Sequence, residues 1–170
     1  MKEPKISLPI RYVPTNLSKK DKRQQLNMLL KSRRLYKKNK YYTRKRLPSY
    51  KNKPSKHIAN VRKIYGIDNV RPSKELALKT GCSLSALNQI VKKGEGAYFS
   101  SGSRPNQTAQ SWGFARLASA LTSGKAAAID YAIIKQGCNQ NKKAFKLATQ
   151  ARRKYGMGHS HTKRIKINLP

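Results

Sequence analysis

Between Ser18 and Lys38 the chain reads SKKDKRQQLNMLLKSRRLYKK, a run of strong helix formers in which Leu26, Leu29 and Leu30 make a narrow apolar stripe. Spacings of three and four residues place such a stripe on one helical face. Ser18, three residues before Asp21, resembles a capping box with Asp in the acidic place. A helix over 18–38 is predicted. From Asn39 to Pro54 the pattern lapses, and Pro48, Pro54 and scattered tyrosines predict an extended, irregular segment that needs a surface to lie on. Periodicity resumes after Ser55, with Ile58, Val61, Ile64 and Tyr65 on one face and Gly66 as a left-handed stop.

Two short helices follow, Lys74 to Thr80 and Leu84 to Lys93, parted by Gly81-Cys82-Ser83 and closed by Gly94. SWGFARLASALTSG reads as a helix with Trp112, Ala115, Leu117, Ala118 and Leu121 inward and Gly124 as its stop. AAAIDYAIIKQG fits either a short apolar helix or a strand, and a strand is also allowed near 95–100. A last helix, Asn141 to Tyr155, sets Phe145, Ala148 and Ala151 against a basic face. The expected fold is mainly α: one small helical domain with extended basic N- and C-terminal arms and room for a short strand or two. The expected divisions are a basic N-terminal helix and arm (1–54), a helical core (55–138) and a basic helix and tail (139–170).

Charge changes this picture most. With 39 Lys and Arg against 6 Asp and Glu in 170 residues, the formal net charge is +33. Self-repulsion on that scale opposes compaction unless a polyanion answers it. The charge sits at the ends, net +18 over residues 1–70 and +9 over 139–170, against +6 between them. KSRRLYKKNKYYTRKR interleaves nine cations with Tyr36, Tyr41 and Tyr42, a density beyond an ordinary solvated face and suited to tracking phosphates while tyrosines stack or hydrogen-bond. The candidate polyanion contacts are Lys31, Arg33, Arg34, Lys37, Lys38, Lys40, Arg44, Lys45 and Arg46, with Arg152, Arg153 and Lys154 near the C-terminus. Nucleic acid or an anionic membrane surface would supply the partner charge.

Residues 73–93, SKELALKTGCSLSALNQIVKK, carry the spacing of a helix-turn-helix: Ala77, then Gly81 four residues on, then apolar Cys82, Leu87 and Ile90. Ser85, Asn88 and Gln89 would then face base edges, with Ser83 beside them and Lys92 and Lys93 on phosphates. The plainer reading is a pair of helices that merely packs.

The segment GAYFSSGSRPNQT, residues 96–108, is polar and almost neutral in this cationic chain. Its glycines and serines could offer N–H groups to a phosphate, but P-loop, dinucleotide and nucleophile-elbow spacings are all missing. Burial accounts for it better: Gly102 makes a turn, Pro105 ends the extended run, and Asn106 or Thr108 caps the helix bearing Trp112. Arg104 is then a candidate internal clamp on carbonyls or on Glu95 or Asp130. The carboxylates are unpaired at helical spacing, so two-carboxylate or metal-assisted chemistry has little to work with. His159 and His161 alone do not make a metal site. No enzyme activity, cofactor, metal or small-molecule substrate is expected. Cys82 and Cys138 make no disulfide framework and fit a reducing compartment. No apolar run suits a membrane span or signal peptide, so a soluble protein outside that secretory route is expected.

The order of these segments over residues 18–138 resembles a family of small basic proteins encoded by large nucleocytoplasmic DNA viruses, notably those of algae. The likeness is densest in Lys93-Gly94-Glu95-Gly96-Ala97-Tyr98, SSGSRPNQT, Ser111-Trp112-Gly113 and Ala115-Arg116-Leu117-Ala118-Ser119. Gly102, Arg104, Pro105, Trp112 and Arg116 are its structural positions. The family has no assigned activity. The resemblance implies a non-enzymatic virion protein, made in the host cytoplasm or nucleus. It would be a minor capsid component beneath the shell, meeting the major capsid protein, other minor capsid proteins, and viral DNA or the anionic inner membrane.

Overall fold

A computed structural model describes residues 4–158 and 162–169; His159 and His161, considered as metal ligands, lie outside the described residues. The elements run β1 (Lys5–Pro9), a 3-10 turn (Ile10–Tyr12), α1 (Lys19–Tyr36), α2 (Lys56–Tyr65), α3 (Lys74–Thr80), α4 (Leu84–Ser100), α5 (Ala109–Leu121), α6 (Lys125–Ile129), α7 (Tyr131–Gly137), α8 (Lys143–Tyr155) and β2 (Arg164–Asn168). The chain is mainly helical, as the apolar pattern predicts, and its described residues include one small antiparallel sheet. Packing divides the described residues into two units, neither continuous in sequence: residues 4–53, 96–109 and 162–169 form one, 54–95 and 110–158 the other.

In the first unit, α1 is capped through a relay. Ser18 Oγ accepts the Asp21 N–H at 3.1 Å, which is one half of a capping box. The other half passes through Ser49, whose hydroxyl accepts the Ser18 N–H at 3.1 Å and donates to Asp21 Oδ2 at 2.5 Å, while its own N–H reaches the same oxygen at 2.9 Å. The cap therefore pins the irregular 39–54 segment to the start of α1. Leu8, Tyr12, Val13, Leu17, Leu26, Met28, Leu29, Leu47 and Tyr98 are buried here.

The ends of the chain are less extended than composition alone implies. β1 pairs with β2, matching Ile6 with Ile167 and Leu8 with Ile165. Directly opposed residues share a face, so four aliphatic side chains line one side, and Leu8 is fully buried. Of the alternatives left open near 95–100 and 128–135, the structure takes helix over strand, in α4, α6 and α7.

The second unit holds one apolar cluster, built from α2, α3, α4, α5, α6, α7 and α8, with Val61, Leu76, Leu87, Leu117, Leu121 and Ile134 at its centre. Gly66 and Gly81 end α2 and α3 in the left-handed conformation, at φ +60° and +74°. Gly94, expected as a stop, lies inside α4. A Cβ there would fall 2.6 Å from the Cα of Gly113, and one on Gly113 would fall 2.8 Å from the Val91 carbonyl oxygen. Backbone contact between α4 and α5 thus outweighs the roughly 1 kcal/mol that a mid-helix glycine costs.

Cys82 and Cys138 are also corrected. They are joined, with S–S 2.11 Å across 56 residues of sequence, so the reading of two reduced thiols is replaced by one covalent tie. Backbone bonds from Ser83 N–H to Gly137 O at 2.7 Å and Asn139 N–H to Gly81 O at 2.8 Å flank it. The tie links the α3–α4 turn to the end of α7.

Replacing both cysteines with serine should lower unfolding stability by roughly 2–4 kcal/mol, the usual effect of a cross-link closing a long loop; an unchanged denaturant midpoint under oxidising conditions would contradict it. Stability should also fall with pH in two stages. Burial holds His57 below its ordinary 6.5, so the unfolded chain takes up that proton first and stability drops as pH falls below about 6.5. The Ser49 hydroxyl and N–H hold Asp21 below its ordinary 3.8, so its contribution, complete above that value, is lost below it. Urea midpoints at pH 7.5, 5 and 3 test this, and His57→Gln should abolish the upper stage alone.

Candidate nucleic-acid interface

α1 buries Asp21, Gln25, Leu26, Met28, Leu29 and Ser32, and exposes Lys20, Arg23, Asn27, Lys31 and Arg34 at steps of three and four. At ~1.5 Å per residue this row runs for roughly 21 Å. Beside its first half lies an open groove of about 670 Å³, walled by Lys19, Lys20, Arg23 and Lys31, with Gln24 and Asn27 among them and Tyr42 entering from the irregular segment. Lys31 Nζ stands 4.4 Å from the Tyr42 ring centroid, a cation–π contact that steadies both. No carboxylate lines the groove. Cations in a row, an amide pair and an aromatic ring suit a phosphodiester chain: the cations meet phosphates, the amides and ring meet sugars or bases.

The other basic residues divide. Arg34, Lys37, Lys38, Lys40, Lys45 and Arg46 are exposed and extend the cationic surface. Arg33 is half-buried, donating from Nε to Ser101 O at 2.8 Å, and its burial depresses its pKa. Arg44, expected on phosphate, is inside. Its guanidinium donates to Tyr98 O at 2.8 Å, Ser103 Oγ at 2.7 Å and Ser32 Oγ at 3.2 Å, and lies 3.8 Å from the Tyr98 ring centroid. Its N–H also donates to Tyr98 Oη at 2.9 Å. Burial lowers its pKa while Tyr98 opposes the shift; an arginine keeps its charge regardless. Arg152 is likewise drawn in, donating to Ala128 O at 2.9 Å, whereas Arg153 and Lys154 are exposed.

The neutral loop is a packing element. Gly102 has φ +134°, and a Cβ there would meet Leu29 and Tyr12 within 3 Å. Ser103 and Pro105 are buried. Asn106 does not serve as the cap: its side-chain oxygen accepts the Leu47 N–H at 2.6 Å and its NH2 donates to Leu47 O and Tyr50 O. The N–H groups of Ser101 and Gly102 go to Ala97 O, which removes them from any phosphate. Arg104 is exposed, so the internal clamp assigned to it belongs to Arg44. Asp130 is instead gripped by Arg116, through Nε at 2.8 Å and Nη2 at 2.8 Å, and by Lys93 at 2.7 Å. Trp112 is half-buried on α5.

On α4, Ser85, Asn88 and Gln89 are all exposed, as is Lys92; Gln89 donates to Ser85 Oγ at 3.2 Å. Lys19, Lys20, Arg23, Gln24 and Asn27 were absent from the sequence-based candidates, whereas Tyr42 was named among the tyrosines of the basic run. The signal was available: the helical period that picks out the leucines of α1 also puts its polar residues in a row.

Together these features define a mainly helical, strongly cationic protein whose few buried charges are locked into its own packing and whose free cations face outward. Residues 9–143 match the model of a family of unknown function, DUF5824, and the chain belongs to that family. No curated protein and no solved structure matches the chain.

Arg44→Met should destabilise by roughly 2–4 kcal/mol, because it strands buried hydrogen-bonding oxygens, and Arg44→Lys should not restore the loss, lacking the planar fork. Arg104→Ala should stay within about 0.5 kcal/mol. Chemical denaturation of the three variants decides it; equal effects at 44 and 104 would refute the assignment.

Proposed function

We propose that the protein is a non-enzymatic structural protein that neutralises nucleic-acid phosphates, and that it works in the virion of a large DNA virus as a minor capsid component beneath the major shell. The observation that carries the phosphate-binding part is the acid-free cationic groove along α1, continued by the exposed cations of residues 34–46. Few acids are left to compensate: Asp21 is bound by Ser49, Asp130 by Lys93 and Arg116, and Glu75 by Lys79. The repulsion among the remaining cations is relieved when phosphates are bound, with release of counterions.

Packaged DNA fits this surface better than lipid does. The outer row of α1 is wholly polar, so it offers no apolar face to enter a bilayer. A structural role fits the side chains as well. The Ser103 hydroxyl accepts from Arg44 and donates to Arg104 O, leaving no proton for a base to take, and no three His, Cys, Asp or Glu gather among the described residues. The virion setting, with the major capsid protein and other minor capsid proteins as neighbours, rests on the sequence resemblance centred on GAYFSSGSRPNQT.

Binding to duplex and single-stranded DNA should fall steeply with salt. The triple variant Lys20→Glu, Arg23→Glu, Lys31→Glu should bind at least tenfold more weakly and lower the slope of log K against log salt by roughly 2–3, about 0.9 per lost phosphate contact. An unchanged slope would remove α1 from the interface, and stronger binding to anionic vesicles than to DNA would favour lipid. Mass spectrometry of gradient-purified particles should find the chain at a fixed ratio to the major capsid protein; absence from the particle would end the virion reading.

A further inference from the structure

The second unit carries another surface of different character. α3 and α4 are joined by three residues, with Gly81 left-handed at the turn. Leu76, Thr80, Cys82, Leu87 and Ile90 all point into the core, none more than 4% exposed. Ala77, half-buried, packs against the same cluster. This is the arrangement of two helices meeting through a tight turn, with a small residue where they cross. The disulfide from Cys82 fixes the turn from behind, and Lys142 folds over it so closely that a Cβ on Gly81 would lie 2.5 Å from the Lys142 side chain.

What the packing leaves outside is the amino-terminal half of α4. Leu84, Ser85, Asn88, Gln89 and Lys92 are all exposed. At ~100° per residue they fill a band about 140° wide on the helix. Asn88 spends none of its amide on another described residue, and Gln89 reaches only Ser85. The flanks are cationic: Lys74 and Lys142 line the shallow groove that also holds Leu78 and Leu84. Glu75 is tied to Lys79 at 3.4 Å, and Glu95 leans on α5 beside Gly113, so neither acid occupies the band. An amide-bearing helix face with lysines at its edges matches the major groove of duplex DNA, which admits a helix and presents base edges between two rows of phosphates.

We infer that α4 reads base edges in the major groove, in addition to the sequence-independent phosphate contacts of α1. Asn88 and Gln89 bond adenine N6 and N7, Leu84 packs on a thymine methyl, Ser85 completes the set, and Lys74, Lys92 and Lys142 hold phosphates. Asparagine, glutamine and an aliphatic side chain together select A·T pairs. This rests on the proposal that the protein binds DNA, and adds sequence preference to it.

The test is selection from a randomised duplex pool, followed by fluorescence anisotropy on the selected site. The expected result is an A·T-containing site bound at least tenfold more tightly than a G·C duplex of equal length. Asn88→Ala with Gln89→Ala should erase that ratio while leaving the salt slope intact, and 7-deazaadenine, which removes only a major-groove acceptor, should weaken the wild type alone. Both substitutions are on an exposed helix face, and an unchanged circular dichroism spectrum verifies the fold. Equal binding to all duplexes with a steep salt slope overturns base reading and leaves phosphate binding standing. A preference that survives the double variant, or that ignores 7-deazaadenine, overturns it as well. Failure to bind any duplex removes both readings.

Discussion

A guanidinium buried among neutral oxygens holds the first unit together. Arg44 reaches Ser32 on α1, Tyr98 on α4 and Ser103 in the neutral loop from a segment that has no regular structure of its own. Burying a charge is costly unless its hydrogen bonds are met, and here they are met by a backbone carbonyl, two hydroxyls and a ring face. The choice of neutral partners follows from composition. With 6 acids for 39 bases, this chain has almost no carboxylates to place inside. The second unit spends one of them, Asp130, on two cations at once.

That economy links stability to the outer surface. Each acid committed to an internal partner is withdrawn from the exterior, which becomes more uniformly positive. The irregular segment benefits too. Ser49, Leu47 and Tyr50 are held by Asp21 and Asn106, so a stretch that composition marks as a loose arm is laid down along α1, and Tyr42 and its neighbouring cations are presented in fixed positions.

The helices were legible because their boundaries are written locally. Ser18, Ser55 and Ser73 accept the N–H three residues on, and Gly66 and Gly81 supply left-handed ends. What was not legible depends on distant neighbours. Nothing in the residues near Gly94 says that Gly113 will lie against it, so a glycine needed for close packing reads as a terminator. Arg44 resembles the eight other cations of its run, and only Tyr98 and Ser103, more than fifty residues away, decide that it turns inward. Arg104 misled for the converse reason, since a buried loop need not bury its arginine. The strand RIKIN did alternate apolar and polar residues, but five residues of alternation say little until Ile6 and Leu8, at the other end of the chain, provide the opposing row.

That long-range pairing sets an order of events during synthesis. Lys5 lies opposite Asn168, so the sheet cannot form until residues 164–168 have left the ribosome, whereas the described stretches that pack the second unit have all emerged by residue 158. Distant contacts are slow to close and domains tend to fold as their residues appear. The second unit therefore has the opportunity to mature first, while α1 waits with its cations already displayed. The earliest encounter of this protein with a polyanion would then precede completion of its sheet, and that encounter would itself screen the repulsion that delays the closing of the two strands.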